Sequence, residues 1–266
     1  MWSLLMAALV VTAPPTGPSA ETLAQYEDRT VTYTGGDYDQ EPFHYRIMKP
    51  EKIEPGKKYP LVFFLHGAGE RGTDNEKQLL YLPEQMAQAE FRQKYPCFLV
   101  APQCRPGKWW VELKHIRMAP PPGEASHQLE VAIQILQDVL QHEPIDRQRV
   151  YLTGLSMGGF GSWQLAARHP EWFAALAPIC GGGDVQMASR YLDLPVWVAH
   201  GDADPVVPVK LSREMVDAIK AAGGDPKYSE LPGVGHDSWT PAYHDPEGLL
   251  PWMFQQKNER ISVATP

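Results

Sequence analysis

Val150-Tyr151-Leu152-Thr153-Gly154-Leu155-Ser156-Met157-Gly158-Gly159-Phe160-Gly161 is the stretch on which the fold turns. An apolar run of strand character ends in Gly-x-Ser-x-Gly, and Gly158 to Arg168 then reads as a helix. That order has a mechanical reason. A strand can reverse into a helix this sharply only if the residues flanking the serine are small, and the serine is then held strained with its hydroxyl above the sheet. The helix that starts there points free N–H groups at whatever the serine touches.

Outward from the turn, the same kind of run recurs. Leu61-Val62-Phe63-Phe64-Leu65, Phe98 to Ala101, Ala174 to Ile179 and Val196-Trp197-Val198-Ala199 are continuously apolar and end in Gly, Pro or a polar residue. Such runs predict parallel strands buried on both faces. Lys227 to Leu231 is a last strand candidate, and Thr30 to Tyr33 and Phe43 to Ile47 alternate as antiparallel strands about a Gly35-Gly36-Asp37 turn. Leu129 to Leu140, with Val131, Ile135, Leu136 and Val139 on one stripe, and Leu211 to Ala222 read as helices. Strand and helix alternate, which predicts an α/β fold with a mostly parallel central sheet and helices on both faces.

A serine hydroxyl needs a base to take its proton and a carboxylate to orient that base. His200-Gly201-Asp202-Ala203-Asp204 and Gly235-His236-Asp237 follow strand candidates in the chain order Ser, acid, His. Ser156 is the expected nucleophile, His236 the base and Asp204 the acid. Asp202 is the rival acid, with a turn-bonding role as its other reading. His66 and His200 directly follow strands, where a hydrogen-bonded structural histidine is expected; His244 lies past the loop. The backbone N–H groups of Met157 and of Ala68, in His66-Gly67-Ala68-Gly69-Glu70-Arg71-Gly72, are the expected oxyanion donors.

These blocks, with Ala101-Pro102-Gln103-Cys104, resemble the α/β-hydrolase esterases, and more narrowly the phospholipase/carboxylesterases and the feruloyl and acetylxylan esterases. The likeness runs from about residue 43 to 254. It implies a serine hydrolase that cleaves carboxylic esters, the second aspartate of His-Gly-Asp-x-Asp as the acid, and an oxyanion donor at Ala68. Only Gly181 to Pro195 separates two strands where many relatives insert a helical cap, so an open site without a large cap domain is expected. Trp109, Trp110, Trp239 and the Met157 side chain are the expected walls, suited to an aryl acyl group or a sugar face. A prolyl-oligopeptidase-like peptidase and a non-catalytic binding protein are the competing readings. The former usually carries an extra N-terminal propeller.

Composition narrows the rest. In 266 residues with a formal charge of −8, no Lys/Arg cluster could neutralise a row of phosphates, so no nucleic-acid partner is expected. The expected partner is an ester substrate, attached to a polymer in one version of the reading. Trp2 to Val11 is almost wholly apolar and is broken by Pro14, Pro15, Gly17 and Pro18, the pattern of a secretory signal peptide over residues 1–20 cleaved before Glu21. No Lys or Arg precedes it, and a frayed apolar N-terminus is the other reading. Residues 21–266 are then one catalytic domain, secreted or periplasmic, with no membrane span. No metal spacing occurs among the three cysteines, and no cofactor is called for. Cys97 and Cys104 bracket a strand that would hold them roughly 20 Å apart, while a Cys104–Cys180 bridge stays open.

Overall fold

The computed structural model describes residues 17–112 and 125–261. Its centre is an eight-stranded sheet in the order β1-β2-β4-β3-β5-β6-β7-β8. The strands are β1 (Tyr26–Gly35), β2 (Tyr38–Met48), β3 (Tyr59–Leu65), β4 (Phe98–Pro102), β5 (Ile145–Leu155), β6 (Ala175–Ile179), β7 (Trp197–Gly201) and β8 (Lys227–Leu231). The β1–β2 hairpin is antiparallel and joins antiparallel to β4; the pairs from β4 to β8 are parallel. This is the α/β-hydrolase fold, and the expected strands are all present.

Helices cover both faces: α1 (Ala20–Ala24), α2 (Leu82–Ala87), α3 (Ala89–Lys94), α4 (His127–His142), α5 (Met157–Arg168), α6 (Lys210–Ala221), α7 (Trp239–His244) and α8 (Leu249–Gln255). Side chains alternate across a strand, so β3 divides its apolar run between two cores. Leu61, Phe63 and Leu65 join the core built with α4, α5 and α6. Val62 and Phe64 face the other core, with residues of α2, α7 and α8. All five are fully buried, which is why the run carries no polar alternation.

Between β6 and β7 there is one 3-10 segment, Val185–Tyr191, and no cap domain. The three cysteines are free and buried, so the Cys104–Cys180 bridge is not made. No helix among the described residues is long and apolar enough to cross a membrane. The expected leader lies mostly outside the described residues. Its cleavage position before Glu21 falls inside α1, whose first turn is capped by the Ser19 hydroxyl accepting from the Thr22 N–H at 3.1 Å.

Candidate active site

Four loops leave the carboxyl ends of β3, β5, β7 and β8 and meet on one edge of the sheet, the usual place for a ligand in an open α/β sheet. Ser156 follows β5 with φ 52° and ψ −115°, a conformation that costs an L-residue on the order of 1–3 kcal/mol. Tight packing on either side holds it there. A Cβ on Gly154 would come within 2.6 Å of the Leu65 carbonyl oxygen, and one on Gly158 would overlap that carbonyl. The Ser156 N–H donates to Ile179 O at 2.9 Å, tying the turn to β6.

The β7 and β8 loops are laced together. Asp202 N–H donates to Leu231 O and Ala203 N–H to Val234 O, each at 3.1 Å. His236 is thereby set between two groups. Its Nε2 lies 3.0 Å from Ser156 Oγ and its Nδ1 2.7 Å from Asp204 Oδ2. The Asp204 carboxylate is fully buried and accepts from every side. Val206 and Val207 donate N–H to Oδ1 at 2.8 and 2.9 Å, and His200 Nε2 reaches Oδ2 at 3.1 Å. Burial pushes this carboxyl up, but the bonds from His236 and the two amides outweigh it and hold the group below its ordinary value.

Asp202 sits elsewhere: its Oδ1 accepts from Gly233 N–H at 2.7 Å and braces the β8 turn. Met157 is the first residue of α5, so its N–H has no intrahelical acceptor. Ala68, half-buried, opens the short 3-10 turn Ala68–Glu70 after the extended Gly67.

The tryptophans divide. The Trp239 ring, expected as a wall, is largely buried at 9% exposure; it stands edge-on to His236 with centroids 5.3 Å apart, and Tyr81 packs against it at 5.3 Å. Trp109 is half-buried beneath the Arg71 guanidinium, 4.8 Å from its ring centre. Trp110 departs from the expected wall. It is 1% exposed, donates Nε1–H to His66 O at 3.0 Å, and lies against Gly161 of α5. It supports the Ala68 loop from beneath instead of facing a ligand. The Met157 side chain is likewise core, at 2% exposure, leaving only its backbone to the site.

His66 is satisfied at both nitrogens: Cys104 N–H donates to Nε2 at 2.9 Å, so Nδ1 carries the proton and donates to Gly67 O. Tyr81 was not expected at the site. It holds φ 65° at the start of α2, and nothing in Leu80-Tyr81-Leu82-Pro83 signals that conformation. The donor atoms of Cys180, Asp204 and His236 lie within 4.8 Å of one another, the spacing of a metal cluster. Here His236 Nδ1 and Asp204 Oδ2 already bond each other, and burial pushes the Cys180 thiol up to about 12, so the set reads as an acid–base pair beside an inert thiol.

Comparison with known proteins agrees with this architecture. A thermostable esterase of known structure is 38% identical with a TM-score of 0.79, over 89% of this chain and 64% of its own. A probable inactive carboxylesterase from Oryza sativa is 26% identical over 66% of this chain and 77% of its own. A probable feruloyl esterase C from Aspergillus flavus is 27% identical over 73% and 67%. Residues 48–245 match the Phospholipase/Carboxylesterase family model. With its hydrolase sheet and a serine, a histidine and an aspartate converging at one sheet edge, the chain belongs to the phospholipase/carboxylesterase family of ester hydrolases.

Proposed function

We propose that the protein is an exported carboxylesterase that works through an acyl-enzyme on Ser156, acting on aryl or short-chain acyl esters such as feruloyl or acetyl groups on polysaccharide. The observation that carries this reading is the unbroken chain Ser156 Oγ, His236, Asp204, with links of 3.0 and 2.7 Å. The serine donates its proton to His236 Nε2 as Oγ attacks the ester carbonyl. Asp204 fixes the proton on Nδ1 and stabilises the imidazolium that results. The carbonyl oxygen, now an anion, takes the N–H groups of Met157 and Ala68. His236 then returns its proton to the departing alkoxide, and water repeats the sequence to release the acid.

Substrate class follows from access and surface. The short β6–β7 connection leaves the edge open; Tyr81 is exposed there against the largely buried Trp239, and Trp109 lies half-buried under Arg71. Aromatic walls supply contact area for a planar acyl group or a sugar. The likeness to a feruloyl esterase points the same way. One relative carries the description of an inactive carboxylesterase, but the full hydrogen-bonded set here favours catalysis over a bare scaffold. Residues 21–266 would act as a single catalytic unit once residues 1–20 are removed on export, a cut that also takes away the Ser19 cap of α1.

An organophosphonate probe should label the protein once, and Ser156→Ala should abolish that label. Turnover of p-nitrophenyl acyl esters, methyl ferulate and acetylated xylan should exceed that of aminoacyl anilides. Labelling that survives Ser156→Ala would refute the nucleophile; cleavage of the anilides alone would replace the esterase with a peptidase.

A further inference from the structure

Asp204 carries a second imidazole. His200, at the end of β7, is fully buried, and its Nε2 stands 3.1 Å from Asp204 Oδ2 and 3.0 Å from Val207 O. Both neighbours only accept, so Nε2 bears a proton and shares it between them. On the far side, Nδ1 is 2.7 Å from the buried Ser212 hydroxyl of α6, which is also 3.1 Å from Gly181 O. Gly181 in turn packs directly on the Gly159 backbone in the first turn of α5. A polar path thus runs from the acid of the site to Gly181, which touches the helix following the serine by packing alone.

The Ser212 hydroxyl has a single hydrogen for two acceptors. With His200 neutral, Nδ1 holds a lone pair and takes that hydrogen. A second proton on His200 would turn the hydroxyl toward Gly181 and, during turnover, set two imidazolium ions on one carboxylate. Burial opposes that state, outweighing the bonds to Val207 and Asp204. The other ionisable groups around this ring are His236 across the carboxylate and Glu230, its ladder neighbour on β8, with Cys180, just past β6, tied by its N–H to Ala199 O. Glu230 is already paired with Arg213 of α6 at 2.6 Å.

We infer that His200 is a positioning residue for ester hydrolysis: as a neutral Nε2–H imidazole it aims the Asp204 carboxylate and takes a share of the charge that His236 would otherwise feel alone. The inference rests on the proposed roles of Asp204 and His236. Removing the donor in His200→Leu should concentrate the charge on His236, moving the acid limb of kcat/KM upward by about one pH unit, a tenfold change in the protonation equilibrium. His200→Gln, whose amide can still donate toward Asp204, should bring the limb back. In the folded wild type, nitrogen NMR should find His200 protonated at Nε2 and neutral across the range in which His236 titrates. An unmoved limb in a folded His200→Leu, or a limb equally displaced in His200→Gln, would overturn the inference. So would a His200 that titrates with His236, and this last test stands even if the leucine variant does not fold. Phosphonate labelling separates the two levels. Loss of the label from wild type sinks the triad itself, whereas intact labelling with an unmoved limb sinks only the role of His200.

Discussion

Replacing Asp204 by asparagine asks the site to solve a donor–acceptor problem that the structure makes insoluble. Two backbone N–H groups, from Val206 and Val207, fix an acceptor at Oδ1, so the asparagine oxygen must take that position. Its amide nitrogen then occupies the place of Oδ2, 2.7 Å from His236 Nδ1 and 3.1 Å from His200 Nε2. His236 must now offer a lone pair there, while His200 can turn its hydrogen wholly to Val207 O. His236 flips to the tautomer with hydrogen on Nε2, facing Ser156 Oγ, and can no longer accept the serine proton. Loss of the correct tautomer costs a serine hydrolase about 10⁴ in kcat, or about 5 kcal/mol in the barrier. Asp202→Asn keeps its oxygen for Gly233 N–H. As an exposed substitution it should stay within about 0.5 kcal/mol, roughly twofold. The assay is kcat on p-nitrophenyl acetate near pH 8, with thermal melts to confirm that both variants are folded. A larger loss in Asp202→Asn than in Asp204→Asn, or an Asp204→Asn variant with most of its activity, would refute the assignment.

Two further outcomes follow from the frame of the site. Gly158→Ala gains about 1 kcal/mol of helix propensity, but its Cβ meets the Leu65 backbone, which cannot step aside. A net loss of about 2 kcal/mol or more, with weakened phosphonate labelling, should appear in thermal melts, whereas Gly69→Ala, with nothing within 4 Å, should melt near wild type. His66 is held neutral, its ionisation lowered by burial from 6.5 to about 4. The unfolded chain therefore binds the extra proton first, and stability should fall as pH drops from about 6.5 to about 4, by about 3 kcal/mol in all. Denaturant titrations across that window should show the slope; a flat profile would mean that His66 is not buried neutral.

Much of this was legible because the physics is local. Leu61 to Leu65 is wholly apolar since β3 is buried on two faces, and the alternation of Phe43 to Ile47 marks a strand with one wet side. The short helices were not. The stretches Leu82–Ala87, Trp239–His244 and Leu249–Gln255 are six or seven residues long and each contains a proline, so they exist by docking on the sheet and not by propensity. At the site, strand-end loops in the right chain order were enough to single out Ser156, Asp204 and His236. They could not tell Trp109 from Trp110, adjacent residues of which one is half-buried and the other sealed. Nor could they show that Tyr81, far off in sequence, leans on Trp239, or that His200 shares the acid's oxygen with His236.

The two ends of the proton path hang from unequal supports. Ser156 leaves β5, which is flanked by β3 and β6 in the middle of the sheet, whereas His236 leaves β8, a partly exposed strand with one neighbour. Edge elements open at lower free energy than central ones. Warming or mild denaturant should therefore part His236 from Ser156 while the centre of the molecule is intact. The temperature at which activity is lost should then be a property of the rim, and reinforcing β8 should raise it even where the melting point of the whole chain does not move.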